Sequence, residues 1–224
     1  MYDEAERLVR RGMTTTIVVM AVSGGTAFLA HVGDSRAYLV RDGLIHQLTE
    51  DHSMVNELVR SGQMSYKDAK KSQYRNVITR AVGLYPSVQA DAMAIDILPG
   101  DRILLCSDGL TDPVHLDQIE ALSRQGEVEL ATDNLLKAAL DAGARDNVTV
   151  AIIEPEATPQ AEAARSRAEV MESLFLFKDL PFHQRLRVAR ICEARVIGPR
   201  EKLASQGSPG DAMFVIVEGQ VTID

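Results

Sequence analysis

The chain has 224 residues, 46% of them hydrophobic, with 24 Lys and Arg against 32 Asp and Glu and a net charge of −8. That length and apolar content suffice for a buried core in one large or two small domains and exclude a disordered chain. The acidic balance argues against nucleic acid as a partner. Two cysteines, Cys106 and Cys192, stand far apart in apolar surroundings and give no disulfide framework. No apolar run approaches the roughly 20 residues of a membrane helix, and nothing resembles a signal peptide. A reducing, cytoplasmic setting without a membrane partner is expected.

In chain order, Asp3 to Arg11 reads as the last turns of a helix stopped by Gly12. Thr15 to Val22, the turn Ser23-Gly24-Gly25 and Thr26 to Gly33 form a strand, hairpin, strand unit. Arg36 to Val40 and Leu44 to Leu48 flank Arg41-Asp42-Gly43, whose Asp-Gly pair favours a tight hairpin. Ser53 is placed to cap a helix running to about Gly62, and Ser65 to Ser72 reads as a second short helix. Met93 to Leu98 and Arg102 to Cys106 bracket the turn Pro99-Gly100-Asp101. Two helical patterns follow, His115 to Gln125 and Glu127 to Ala142, before a last apolar strand, Val148 to Ile153.

Strands joined by hairpins, with helices alongside, predict an α+β fold: an antiparallel β-sandwich flanked by helices over residues 1–154. Residues 155–170 are polar, proline-bearing and Ala-rich, and read as a linker. Residues 171–224 form a second unit, with an amphipathic helix pair from Ser173 and from Phe182 to Ala194. Short β runs broken by Gly and Pro come next, the rhythm of a small, truncated β-roll. Because Gln220 to Asp224 stops within a strand pattern, the chain is expected to be part of a longer protein.

The chemistry concentrates in Ser107-Asp108-Gly109-Leu110-Thr111-Asp112 and Arg145-Asp146-Asn147. Each follows or precedes an apolar strand, so if those strands are neighbours Asp108 and Asp146 meet at one rim. Carboxylates without a run of Cys or His suit a hard cation, Mg²⁺ or Mn²⁺, rather than zinc. Taken singly, an Asp before Gly is an ordinary turn former, and Asp51 before His52-Ser53 reads equally as part of an N-cap. His31, His46, His52, His115 and His183 are unclustered and read as packing or surface residues. Gln63 to Arg80 carries Lys67, Lys70, Lys71, Arg75 and Arg80, either a flap offering local positive charge or a solvated face.

Five segments occur in the order seen in metal-dependent type 2C (PPM) serine/threonine protein phosphatases: Gly12 to Thr16, His31 to Tyr38, Leu48 to Ser53, Ser107 to Asp112 and Ala144 to Thr149. Thr14 stands where that family usually has glycine. The resemblance implies a binuclear Mn²⁺ or Mg²⁺ centre that activates water for attack on phosphoserine or phosphothreonine of a protein substrate. It places Asp108 and Asp146 as ligands of the pair, and Asp51 and Asp112, with Asp108, as ligands of a third, weaker ion. Asp34 and Arg36 are expected to brace each other in the sheet. An upstream Asp-Gly motif and a phosphate-binding arginine, which the family carries, do not occur before Gly12, so the chain alone is expected to be inactive or nearly so. A pseudophosphatase or binding module on the same fold is the alternative. Leu176 to Pro181, Ile197 to Glu201, Gln206 to Asp211 and Met213 to Val221 resemble the first half of a cyclic-nucleotide-binding domain, implying a cyclic nucleotide as partner of the complete domain.

Overall fold

The computed structural model describes residues 13–144, 146–156, 161–207, 209–210 and 212–223. The helix expected over residues 3–11, together with Arg145, part of the linker, Ser208, Asp211 and Asp224, lies outside them. β1 (Ile17–Ser23) and β2 (Thr26–Val32) form a hairpin, and β5 (Asp91–Asp96) pairs with β2 to complete a sheet of order β1-β2-β5. β3 (Arg36–Arg41), β4 (Leu44–Gln47), β6 (Arg102–Cys106) and β7 (Val150–Ile153) form the second, of order β4-β3-β6-β7. Every pairing is antiparallel, as the hairpin signals predict. Asp42 and Gly43 both take positive φ in the β3–β4 turn, which is why the Asp-Gly pair sits there.

The alternation of side chains along a strand divides the core into two layers. Ala37, Leu39 and Ile103 of the second sheet face Ala27, Leu29 and Ile95 of the first, and these residues share one core. Their neighbours Tyr38, Leu104 and Cys106 face the opposite way. They meet Leu110 and Val114, Ile119 of α4 (Leu116–Ser123) and Leu135 and Ala139 of α5 (Val128–Asp141). β3 and β6 are therefore buried on both faces, so their sequences read as unbroken apolar runs rather than alternating ones. Among the described residues the outer face of the first sheet has no such cover, and Ile17, Val19 and Phe28 are exposed on it.

Arg41 and Asp101 fasten the far end of the sandwich. Arg41 Nε donates to Asp101 Oδ1 at 2.8 Å and Nη2 to Oδ2 at 2.6 Å, while Nη2 also reaches the Asp96 carbonyl at 2.9 Å. Leu98 N–H donates to Asp101 Oδ2 at 2.7 Å. The pair is 7% and 1% exposed, so hydrogen bonds rather than water must compensate both charges.

On the polar side, α1 (Met54–Arg60) starts at Ser53, whose side chain accepts the Asn56 N–H, and α2 (Tyr66–Ala69) starts at Ser65, which accepts that of Asp68. The Ser53 cap is where the sequence places it, and the second helix is shorter than the expected Ser65 to Ser72. The stretch expected as a linker differs: α6 (Ala161–Ser173) occupies its second half, with Ala161, Ala164 and Met171 buried. Alanine-rich sequence that looks like a spacer is also strongly helix-forming. Through Arg167, which pairs with Asp96 at 2.7 Å, this helix is tied to β5.

α7 (Phe182–Ile191) lies against both sheets. Leu186 joins the inter-sheet core, a burial that contributes about 1.5–3 kcal/mol, and the Phe182 ring stacks on His46 with centroids 3.6 Å apart. Arg190 shares Asp96 with Arg167, and His183 Nε2 lies 3.2 Å from Glu50 Oε1. Beyond it the expected β-roll is not formed: the described residues of 192–223 contain no strand, and Val196, Val217 and Ile223 are among the most exposed apolar side chains. Its β runs are short and broken by Gly and Pro, and they find no second layer on which to close. Among the described residues, no helix is long and apolar enough to cross a membrane.

Candidate metal centre

β6 and β7 are adjacent, with Cys106 opposite Val150, so the two motif segments emerge side by side. Ser107 stitches them together. Its N–H donates to the Thr149 carbonyl at 3.1 Å, its Oγ accepts the Thr149 N–H at 3.0 Å, and the same hydroxyl lies 3.3 Å from the Asn147 carbonyl, to which it donates. Asp108 then begins α3 (Asp108–Thr111), and a Cβ on Gly109 would collide with the Asn147 carbonyl oxygen. Only glycine lets the helix approach the Asp146–Asn147 segment this closely.

The carboxylates of this rim act on one another. Burial raises the Asp108 pKa, and the charges of Asp112 and then Asp146 raise it further. Asp112 follows one helical turn after Asp108 and donates its N–H to the Asp108 carbonyl at 2.8 Å. Asp146 is oriented by its own neighbour, its Oδ1 accepting the Asn147 N–H at 2.7 Å. Three aspartates from the two motifs thus share one field, as neighbouring strands require. A hard divalent cation fits such a set, because it relieves the repulsion that disfavours ionisation of Asp108.

Asp34 belongs to the same field. Burial, then the charge of Asp108, push its pKa up to about 6, with Asp51 adding to the effect. The expected Asp34–Arg36 brace is not what the sheet contains. Arg36 turns to Asp51 instead: Nε lies 2.9 Å from Oδ1 and 3.1 Å from Oδ2, and Nη2 lies 2.6 Å from Oδ2. Gln47 Nε2 donates to Asp51 Oδ1 at 3.2 Å, and Arg36 Nη1 donates to the Tyr38 hydroxyl at 3.2 Å. Burial alone would lower the Arg36 pKa, but its bonds to Asp51 outweigh that and raise it, so the guanidinium stays charged. Asp51 therefore reaches the rim already compensated, whereas Asp34 has no such partner at these distances among the described residues. The signal for Asp34 was in the sequence: like Asp108, it follows a strand directly at a sharp turn, here made by Gly33 at φ +106°.

The histidines are not scattered in space. His31 and His52 stack with ring centroids 4.7 Å apart, and with Asp91 they bring three ligand-type atoms within 4.8 Å of one another. Their hydrogen bonds assign them other work. His52 Nδ1 accepts the Gly33 N–H at 3.1 Å, so the ring proton is on Nε2, which donates to Asp91 Oδ2 at 3.2 Å. The lone pair a cation would need at Nε2 is occupied by that proton. His31 Nε2 donates to the Glu50 carbonyl at 2.9 Å.

Of the basic residues expected in a flap, Lys67, Lys70, Lys71 and Arg75 are exposed, whereas Arg80 is drawn down to Asp91 at 2.7 Å. Burial opposes ionisation of Asp91, but the bonds from Arg80 and His52 hold its carboxyl below the ordinary range.

Comparison with known proteins agrees with this architecture. A family model described as Protein phosphatase 2C matches residues 3–148. The serine/threonine phosphatase stp of Listeria monocytogenes is 36% identical over 165 residues, covering 73% of this chain and 65% of that protein. The crystal structure of the Mycobacterium tuberculosis serine/threonine phosphatase PstP/Ppp superposes with a TM-score of 0.65 at 35% identity, covering 70% of this chain and 68% of that one. A structure of the catalytic domain of PstP in complex with two manganese ions aligns with a TM-score of 0.59 at 35% identity, over 67% and 64% of the two chains. The chain spans less than two thirds of the length of the curated relatives it matches. By sequence and by fold, this chain belongs to the protein phosphatase 2C family.

Proposed function

We propose that the chain carries the carboxylate half of a metal-dependent serine/threonine phosphatase site, acting on phosphoserine or phosphothreonine in protein substrates. One observation carries this reading: Asp108 sits where burial, Asp112 and Asp146 all disfavour its ionisation, in a family whose structural neighbour PstP holds two manganese ions. Asp108 and Asp146 would hold Mn²⁺ or Mg²⁺, with Asp112 and Asp34 extending the site toward a further ion. When bound, such ions supply Lewis-acid polarisation of a phosphoryl oxygen and acidify water.

The protein's own groups do the positioning. Ser107 and Gly109 hold α3 against the Asp146–Asn147 segment, so the carboxylates are preorganised before any ion arrives. Arg36 cancels Asp51, which keeps the rim from accumulating a fifth uncompensated charge. Both cysteines are free, which suits a reducing compartment. The cyclic-nucleotide reading of residues 171–224 rests on sequence motifs alone, and no strand among the described residues there builds on them, so no nucleotide enters the proposal.

The test is Mn²⁺ binding and Mn²⁺-dependent hydrolysis of a phosphothreonine peptide, compared between the chain and Asp108→Asn. Loss of Mn²⁺ binding in the variant, with its thermal melt in chelator intact, is the expected result. Equal binding by the two proteins would overturn the assignment. Mn²⁺-dependent turnover by the unaltered chain would exclude the binding-module reading and overturn the expectation that the chain alone is inactive.

A further inference from the structure

Outside the acidic rim, the residues Arg80, Asp91 and His52 form a continuous hydrogen-bonded chain. Arg80 Nη1 donates to Asp91 Oδ1 at 2.7 Å, and His52 Nε2 donates to Asp91 Oδ2 at 3.2 Å. His52 then grips Gly33 twice: its Nδ1 accepts the Gly33 N–H at 3.1 Å, and its own N–H donates to the Gly33 carbonyl at 3.0 Å. The stacked ring of His31 fixes the plane of His52, which is 3% exposed.

The object of this grip has little freedom. Gly33 is at φ +106°, and a Cβ there would collide with Thr16 Cγ2. On the other side of Asp34, the Ser35 hydroxyl lies 2.8 Å from that of Thr16. Asp34 is thus held through both its neighbours, in the field of Asp108. At the other end of the chain, Thr79 N–H donates to the His52 carbonyl at 2.8 Å and Met54 N–H to that of Val77 at 2.9 Å, so the base of the basic segment is fastened to the same histidine.

We infer that His52, oriented by Asp91 and Arg80, is a positioning residue that sets the Asp34 carboxylate on the metal rim and ties it to the base of the 63–80 segment. This rests on the metal-centre reading above. His52 touches neither ion nor substrate; it acts through the Gly33 peptide, as groups that orient metal ligands do. Its imidazole suits the task because one ring nitrogen accepts the backbone N–H while the other donates to a carboxylate, in one rigid plane.

The experiment is Mn²⁺ titration of the full chain, with free Mn²⁺ read by electron paramagnetic resonance and melting in chelator recorded in parallel. His52→Leu is expected to weaken Mn²⁺ binding by about 10-fold or more, the cost of losing an orienting partner. His52→Asn, whose side-chain oxygen stands where Nδ1 does, is expected to recover most of that loss. Asp91→Ala, at a half-exposed position that leaves the core untouched, is expected to shift binding the same way by less. Unchanged Mn²⁺ affinity in Asp91→Ala and in folded His52→Leu would overturn the inference, as would an equal loss in the Leu and Asn variants. Absence of Mn²⁺ binding by the unaltered chain would instead overturn the metal-centre reading, and this inference with it.

Discussion

Ile103-Leu104-Leu105-Cys106 and Met213-Phe214-Val215-Ile216-Val217 are comparable apolar runs with opposite fates. The first lies in β6, paired with β3 on one side and β7 on the other, and Ile103, Leu104 and Cys106 are at most 2% exposed. The second makes no strand, and its Val217 is 73% exposed. β-propensity is a measure of fit to a pleated surface that other strands must provide. Where partners exist on both sides, such a run becomes the centre of a domain; where they do not, the same composition is left in solvent.

The contrast is broken most severely at Arg41. Arg41→Ala leaves Asp101 buried without its partner, and urea denaturation should show a loss of about 3–5 kcal/mol. A loss below about 1 kcal/mol would mean that Asp101 does not depend on the pair. Next in size comes a matched truncation: Leu104→Ala should cost about 2–5 kcal/mol, whereas Val217→Ala should fall within about 0.5 kcal/mol of zero. Similar losses at the two sites would show that the segment beyond α7 is as firmly packed as the sandwich.

The smallest effect concerns the boundary between the two regions. His46, against which Phe182 of α7 stacks, has its pKa lowered by burial and then by the charges of Arg185 and Arg41, with Glu120 opposing. The unfolded chain holds the proton more tightly, near the ordinary imidazole value of about 6.5. The stability that the neutral ring contributes is therefore complete above that pH and is lost as the pH falls below it. Melting temperature should drop between pH 7.5 and 5.5, and His46→Gln should flatten that part of the profile. An unchanged slope would remove His46 from the account.

Local signals carried most of the sandwich. The Asp42-Gly43 hairpin, the Ser53 cap and the apolar runs of β3 and β6 each have a cause within a few residues, and each is found in place. Asp108 and Asp146 could be read as one rim because neighbouring strands carry them. Asp101 could not be distinguished from other aspartates beside turns, since its meaning depends on Arg41, sixty residues earlier. Asp51 and Asp34 exchanged their expected relations to Arg36 for a similar reason: sequence places an arginine near both, and only the fold decides which it meets. Residues 161–170, read from composition as part of a linker, are helical, because an Ala-rich stretch serves both purposes. His31 and Asp91 meet through the pairing of β2 with β5, where they stand opposite, and His52 joins them from the loop after β4 through its bonds to Gly33.

The contact of Gly109 with the Asn147 carbonyl has a bearing on how this architecture can diverge. Because two main chains meet there at touching distance, the separation of the motifs is a stop rather than a length. The helices between them can be extended, shortened or exchanged without resetting it, and the outer layer is free to vary around a fixed gauge. A single methyl group at that glycine, by contrast, would alter the gauge itself.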